Sequence, residues 1–502
     1  MQLTRRQFVR SSSRIAAAAV FAGAWHRSNR AWAKAGDPFS KLDGIAQAEM
    51  IKNGDASATE VLNAAIARIE ALNPKINAVV TADFKQAASR AAANEFAGPF
   101  AGVPFLVKDL DDVAGMRTTQ GSRAMIASIA KQTEPYIQAC IDTGFNVVGK
   151  SNTPEFGLTG TTESLALGPC YNPWDLRCSA GGSSGGAGAA VAAGLVPVAQ
   201  GSDGGGSIRI PSSCCGVFGI KPSRGRLIGS TDEFSFSVKG GLSRSVRDSA
   251  YLLARTERKK PAPGLKPIGL VTEPSRRRLT IGMFLKGYRG DEPTPDVSDA
   301  ILATARLCEE LGHDVKIMRF EIDGQRMIED FLTLWSSIPG QAVEALESEF
   351  GRKVTHQDLE PLTLAFAEQY ENGGKEKMPE ATKRLQQLAD DINAQMQPYD
   401  AVLSPVLSTA PPQIGHHAPT LPYDTLIERA ISYVAYTPLY NVSGMPAMSV
   451  PLSWNADDLP IGSQFAAKLG DEQTLLQLAY ELEEARPWAD RWAPWSAPKI
   501  GV

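Results

Sequence analysis

The sequence predicts an α/β domain, and three observations carry the prediction. The apolar run Val103-Pro-Phe-Leu-Val reads as a short buried strand that ends in Lys108. Further on, a helical pattern from Pro135 to Asp142 gives way to a strand pattern from Phe145 to Val148 and the loop Asn152-Thr-Pro-Glu-Phe-Gly, the alternation that α/β architecture requires. Leu279-Thr-Ile-Gly-Met-Phe, a helix around Ala300 to Leu311, and His313-Asp-Val-Lys-Ile-Met repeat it as a β-α-β unit.

Taken in order, the chain opens on Thr4-Arg5-Arg6-Gln7-Phe8, then the apolar run Ile15 to Trp25, then the small-residue pattern Ala31-Trp32-Ala33. Paired arginines ahead of an alanine-rich core predict a twin-arginine-type signal peptide over residues 1–33, cleaved after Ala33 or Ala35. A mitochondrial transit peptide and a basic amphipathic arm are the competing readings. The run is 11 residues long, whereas a bilayer takes about 20, and no later stretch approaches that length. The expectation is export by the twin-arginine machinery to the periplasm or beyond the cell, with no stable membrane insertion. Residues 1–33 hold six arginines and no acid, so cleavage takes the formal charge from −4 to −10. That balance argues against nucleic acid as a partner, which needs a basic footprint.

Six cysteines, at positions 140, 170, 178, 214, 215 and 308, show no C-x-x-C spacing and are too sparse for a disulfide scaffold. Cys170 and Cys178 flank a turn holding Asn172-Pro-Trp-Asp and could pair across it. Cys214 and Cys215 sit in an apolar run and read as small core residues.

Leu42 to Asn53 reads as a helix. Ser57-Ala-Thr-Glu60 is a capping box opening a second helix with Val61, Leu62, Ala65, Ile66, Ile69 and Leu72 on one face, closed by Asn73-Pro74. Lys108 then emerges directly from apolar sequence, which implies a desolvated amine. A lysine of reference pKa ~10.4 favours its protonated form by about 4 kcal/mol near neutral pH. Burial disfavours the charge, so a depressed pKa is expected, provided that Asp109, Asp111 and Asp112 face away.

Gly144-Phe-Asn-Val-Val-Gly149-Lys150-Ser151 satisfies the G-x-x-x-x-G-K-[ST] phosphate-loop pattern. Its context rejects that reading: Phe-Asn-Val-Val is itself the strand rather than a loop after one, and Pro154 stands where the helix should begin. Lys150 is expected at a strand end.

Residues 179–222 organise the rest. Two serine-bearing glycine clusters, Gly181-Gly-Ser-Ser-Gly-Gly and Gly201-Ser-Asp-Gly-Gly-Gly-Ser, flank an alanine-rich helical segment from Ala187 to Gly194. A glycine–serine linker would lack apolar continuations, but these run into Val191-Ala-Ala-Gly-Leu-Val-Pro-Val and Cys214-Cys-Gly-Val-Phe-Gly-Ile. The segment is therefore buried, and it presents serines where backbone N–H groups can converge.

Gly181-Gly-Ser-Ser-Gly-Gly, Gly201-Ser-Asp-Gly-Gly-Gly-Ser-Ile-Arg-Ile-Pro and Gly216-Val-Phe-Gly-Ile-Lys-Pro-Ser, with Gly102-Val-Pro-Phe-Leu-Val-Lys-Asp upstream, resemble the signature of the amidase signature family. The resemblance covers residues 40–250 and, more loosely, 395–490. It implies one α/β/α domain over residues 34–502, built on a large twisted mixed sheet covered by helices, with a variable and largely helical insert at about 255–396. It also implies a Ser–Ser–Lys triad: Lys108 as base, Ser183 as a bridging serine at a cis peptide, and Ser207 as nucleophile. The backbone N–H groups of Gly204, Gly205, Gly206 and Ser207 would form the oxyanion hole, and Asp203 would pair with Arg209 to hold that loop. No metal or organic cofactor is implied. Threonine is usual in the family at Gly204; the Asp-Gly-Gly-Gly-Ser form here is similar to that of 6-aminohexanoate cyclic-dimer hydrolases.

Amide hydrolysis needs an activated nucleophile, charge stabilisation on the carbonyl oxygen and a proton for the departing amine. Beyond the signal, the histidines are His313, His356, His416 and His417, none near a glycine-bracketed serine, and no HExxH spacing appears. The expected substrate is a small amide, with an ester-preferring hydrolase or a catalytically silent periplasmic binding protein derived from an amidase as alternatives. The intact lysine and two serines speak against the silent form. The acidic charge and leader disfavour a transamidating subunit working on transfer RNA. The oligomeric state is left open, a homodimer included.

In the insert, helical stretches are expected at about 323–348 and 357–396, broken near Asn372-Gly-Gly. Tyr399 to Leu407, Tyr440 to Pro451 and Leu459 to Phe465 read as core strands with their loops, and Asp471 to Ala485 as a last helix. Trp488, Trp492 and Trp495 read as packing for a C-terminal tail. Pocket residues are expected from Glu155 to Thr162, Phe331 to Ile338 and Tyr433 to Asn441.

Overall fold

The computed structural model describes residues 37–230 and 234–502; the twin-arginine-type segment lies outside the described residues. Along the chain the strands are β1 (Val79–Ala82), β2 (Pro104–Lys108), β3 (Asn146–Ser151), β4 (Glu163–Ser164), β5 (Gly168–Pro169), β6 (Val198–Asp203), β7 (Phe218–Lys221), β8 (Val238–Ser243), β9 (Thr280–Met283), β10 (Asp314–Ile317), β11 (Ala401–Pro405), β12 (Ala447–Trp454) and β13 (Pro460–Ala467). Eleven of them form one mixed sheet in the order β1-β3-β2-β6-β8-β7-β12-β13-β11-β9-β10, while β4 and β5 make a separate ladder. Helices cover the sheet, so the predicted architecture is the observed one.

The part that positions the site is the parallel trio β3-β2-β6, in which β2 pairs with β3 on one side and β6 on the other. All five residues of β2 are buried, as are all six of β6; β2 accordingly reads as a near-continuous apolar run, whereas β6 carries Gln200, Ser202 and Asp203 into the interior. The carboxyl ends of parallel strands are where open α/β sheets bind ligands. Lys108 and Asp203 are the last residues of β2 and β6.

The alanine-rich helix runs from Gly185 to Ala192 with every residue buried. Small side chains let it lie close to the sheet: a Cβ on Gly186 would stand 2.1 Å from the Asn152 backbone nitrogen. The capping box at Ser57 is closed both ways, with Ser57 Oγ accepting from the Glu60 N–H at 3.2 Å and the Glu60 carboxylate accepting from the Ser57 N–H at 2.8 Å. That helix continues through Pro74 to Ile76 and ends on a left-handed Asn77, one turn beyond the expected stop.

The two helical stretches expected at about 323–348 and 357–396 resolve into four helices, Gly324–Trp335, Ser337–Phe350, Pro361–Gln369 and Lys375–Gln395. Asn372-Gly-Gly does break the last pair, with Gly373 at φ 98°. The unforeseen break after Trp335 coincides with Pro339 in the first turn of the next helix, where a missing N–H costs nothing. Two further helices, Tyr423–Tyr433 and Pro438–Val442, precede β12, so Tyr440 to Val442 is helical rather than extended.

All six cysteines are buried free thiols, and Cys170 and Cys178 do not pair. Trp488 and Trp492 are buried in the tail; Trp488 Nε1 donates to the Arg244 carbonyl at 2.7 Å, and the Arg244 guanidinium lies 3.9 Å from the Trp492 ring centroid. Lys150 sits inside β3, buried, donating to Thr118 Oγ1 at 3.0 Å and to the Asp111 carbonyl. Among the described residues no helix is long and apolar enough to cross a membrane.

Candidate active site

Lys108 is wholly buried at the end of β2. Its Nζ hydrogen-bonds to Ser183 Oγ at 2.7 Å and Ser202 Oγ at 3.2 Å, and its backbone N–H donates to Gln200 Oε1 at 2.8 Å. Burial pushes the amine down to about 7; the Asp111 carboxylate opposes that shift, Lys239 reinforces it and Asp203 opposes it. None of Asp109, Asp111 and Asp112 hydrogen-bonds to the amine, but neither Asp109 nor Asp111 turns out to solvent. Asp109 accepts from the Thr119 N–H and hydroxyl. Asp111 accepts from Gln200 Nε2 at 2.7 Å and ion-pairs with Lys239. Burial alone would raise the Asp111 carboxyl, and Lys239 outweighs it, so the group lies below its ordinary range.

Ser183 follows a cis Gly182–Ser183 peptide. Gly182 has no room for a side chain, since a Cβ would stand 2.6 Å from the Thr161 carbonyl carbon. Ser207 lies in the loop joining β6 to the helix Arg209–Cys215. The Ser184 N–H donates to the Ser207 carbonyl at 3.2 Å, tying the two serine loops together.

Asp203 and Arg209 form the expected pair, with Nη2 to Oδ1 at 2.8 Å and Nε to Oδ2 at 3.0 Å, both wholly buried. Burial would raise the Asp203 carboxyl, but Arg209 outweighs it and the group falls to about 2. Asn441 Nδ2 donates to Asp203 at 2.9 Å, and Arg209 Nη1 donates to Gln464 Oε1 at 2.8 Å, so β6, β13 and the helix Pro438–Val442 are clamped to one ion pair. The same carboxylate accepts from the Gly206 N–H at 2.8 Å. Of the four expected oxyanion donors, Gly206 therefore has a protein partner in this structure. Among the described residues no hydrogen bond takes the N–H groups of Gly204, Gly205 or Ser207. Gly206, at φ 130°, is glycine of necessity, because a Cβ would meet Thr437 Oγ1 at 2.3 Å.

Ser207 opens on a cavity of about 90 Å³. From the three expected stretches, the residues from Gly157 to Gly160, Phe331, Leu332, Trp335, Val434 and Pro438 line it. Glu155 does not; it turns away and accepts from the Glu360 N–H at 2.8 Å. The helices Pro361–Gln369 and Tyr423–Tyr433 add Leu362, Phe366, Leu426 and Ile427, which sequence reasoning missed. So did it miss Gln200 and Ser202, whose signal was two alternate polar side chains on a buried strand. No hydrogen bond among the described residues joins a histidine to Ser183 or Ser207; His313 instead lies 3.0 Å from Glu481.

The profile of the Amidase family matches residues 60–476. AmiC of Mycobacterium leprae (strain TN) is 39% identical over 457 residues, 90% of this chain and 97% of that protein. The 6-aminohexanoate-cyclic-dimer hydrolase of Pseudomonas sp. (strain NK87) is 36% identical over 473 residues, 89% of this chain and 96% of that one. A solved 6-aminohexanoate cyclic dimer hydrolase complexed with substrate superposes with a TM-score of 0.84 at 34% identity, over 91% of this chain and 99% of its own.

Proposed function

Since the chain belongs to the amidase family, we propose that it hydrolyses a non-peptide carboxylic amide through an acyl-enzyme on Ser207, with Lys108 as base and Ser183 as proton relay. The observation that carries this reading is a wholly buried lysine held 2.7 Å from a serine hydroxyl with no carboxylate bonded to it. Such an amine is neutral in a sizeable fraction near pH 7, which a catalytic base requires.

Neutral Lys108 takes the Ser183 proton while Ser183 takes that of Ser207, and Ser207 Oγ attacks the carbonyl carbon. The negative charge formed on the carbonyl oxygen is met by the uncommitted N–H groups of Gly204, Gly205 and Ser207; one such donor is worth about 3 kcal/mol in the transition state. The tetrahedral intermediate collapses as the proton returns through Ser183 to the nitrogen, and the amine leaves. Water, deprotonated by the same relay, then attacks the ester and frees the acid.

The relatives that act on a cyclic dimer of 6-aminohexanoate direct the first assays to cyclic amides. Ammonia and amine release is measured across primary carboxamides, anilides, and linear and cyclic oligoamides, beside a Ser207→Ala control. Turnover of at least one amide, lost in the control, is expected; equal rates in both would remove Ser207 from the mechanism. Residues 1–33 are proposed to send the protein out of the cell. Fusing them to a reporter exported only when folded, with Arg5 and Arg6 changed to lysine as control, tests this; export that ignores the change contradicts it.

A further inference from the structure

We infer that the cavity beside Ser207 recognises a compact, uncharged apolar group flanking the scissile amide, with the Trp335 ring as the wall that sets its size. The inference rests on the amide-hydrolase reading above and adds the substrate class.

Its first support is the chemistry of the lining. No carboxylate, ammonium or guanidinium is among the residues around this space. Apart from Ser207, its side-chain polar groups are already engaged: Tyr288 OH donates to the Ile431 carbonyl at 3.3 Å, Thr159 Oγ1 to the Thr161 carbonyl at 2.8 Å, and Trp335 Nε1 to the Leu158 carbonyl at 3.3 Å. Beyond the N–H groups of Gly205 and Ser207, which the carbonyl oxygen of the scissile amide would take, a charged group placed there would give up water and find no countercharge. An apolar pocket rejects an added hydroxyl by about 100-fold, and a charge, which loses more on leaving water, at least as strongly.

The second support is geometric. Trp335 ends the helix Gly324–Trp335, immediately before the break that sequence reasoning missed. Its ring is stacked on Phe331 at 5.3 Å between centroids, and Phe331 is stacked on Phe236 at 4.5 Å. The outer end of this ladder rests on the loop bearing Ser207: a Cβ at Gly204 would stand 3.1 Å from Trp335 Cη2 and Cζ3. Glycine at 204 therefore gives the indole its seat, and the indole forms one wall of a cavity of about 90 Å³. A group of that scale is a short branched or small cyclic hydrocarbon. The pair Gly204–Trp335 is a size determinant built from two segments far apart in the chain.

The test uses matched amides and a reporter of the nucleophile. Isobutyramide and cyclopropanecarboxamide are compared with succinamate and 4-aminobutanamide, and a second series varies the amine side of acetamides in the same way. A fluorophosphonate reports independently whether Ser207 is reactive. In the wild type, kcat/KM for the apolar members is expected to exceed that for the charged ones by about 100-fold in at least one series. Trp335→Ala is expected to move the optimum to bulkier groups. Gly204→Ala, which crowds the indole, should lower kcat/KM for the compact amides about tenfold, and Trp335→Ala in the same chain should restore the bulkier ones. Fluorophosphonate labelling with charged and apolar amides cleaved equally well, or an unchanged size optimum in Trp335→Ala, would overturn the inference while leaving the hydrolase reading intact. No labelling and no turnover in the wild type would overturn both. The wild-type comparison decides the charge claim even where a variant fails to fold.

Discussion

Lys239 ion-pairs with Asp111, the carboxylate whose field would otherwise hold the buried Lys108 in its protonated form. Lys239 also lies 3.2 Å from Glu134, and Gln200 joins the same carboxylate to the Lys108 backbone. The base is thus set by burial plus a neutralised acid, with Asp203 already balanced by Arg209.

Removing that neutralisation moves the pH profile. The charged groups around Lys108 are Asp111, Lys239 and Asp203, with Glu134 behind Lys239. Lys239→Met removes the cation paired with the Asp111 carboxylate, leaving Lys108 and the more distant Lys150 as its cationic neighbours, which favours the Lys108 ammonium and raises its pKa. The acid limb of kcat/KM then shifts upward by about one pH unit, roughly tenfold in rate below the midpoint, whereas Lys239→Arg keeps the wild-type limb. A limb that stays in place in Lys239→Met would show that Lys239 serves structure alone.

The wild-type acid limb itself is expected near pH 7, because Lys108 must be neutral and its amine is lowered to about 7. Activity falls as pH drops through that value. Lys108→Arg is inactive at every accessible pH, since a guanidinium does not deprotonate. A limb near pH 10, measured with a substrate whose binding is independent of pH, would contradict the assignment.

Stability carries the same signature. Lys108 is lowered to about 7 from 10.5, so the unfolded chain binds this proton more tightly than the folded one and burial costs stability. The sign follows from linkage: the cost is fully present below pH 7, shrinks as pH rises from 7 to 10.5, and vanishes above. Lys108→Met is therefore expected to be more stable than wild type by a few kcal/mol at pH 6, with the gap closing toward pH 10. Equal denaturant midpoints across that range would count against a buried, depressed lysine.

Asp203→Asn breaks a wholly buried pair and leaves Arg209 charged, at a cost of about 3–5 kcal/mol. It also weakens the acceptor that fixes the Gly206 N–H. Unfolding midpoints should fall, and the folded variant should lose kcat with little change in KM, because the loop presenting Ser207 loses its anchor. Unaltered kcat in a folded Asp203→Asn would separate the ion pair from catalysis.

The site was legible where chemistry and local sequence coincide. Lys108 stood out as a charge at the end of an apolar strand, and Ser183 and Ser207 as serines bracketed by glycines that only close approach explains. The pairing of Asp203 with Arg209 came with the resemblance to the amidase signature. What stayed hidden depends on distant segments: Asn441 and Gln464 reach the Asp203–Arg209 pair from beyond position 440, and Lys239 reaches Asp111 from a neighbouring part of the sheet. The bond from the Gly206 N–H to Asp203 was hidden too, because a loop sequence does not say which N–H groups a nearby carboxylate engages. The helix break at Ser336 had a local signal in Pro339, but the wall Trp335 makes against Gly204 is a property of folding alone.

Locating the acyl group shows whether Ser207 is the nucleophile. The purified protein is mixed with an amide that it turns over, quenched in acid within the steady state and mapped by peptide mass, alongside Ser207→Ala. One acyl adduct is expected on the peptide bearing Ser207, and a rate in the variant lowered at least ~10⁴-fold, on the order of the loss when a serine hydrolase loses its nucleophile. An adduct on another residue, or a Ser207→Ala variant within tenfold of the wild type, would contradict that role for Ser207.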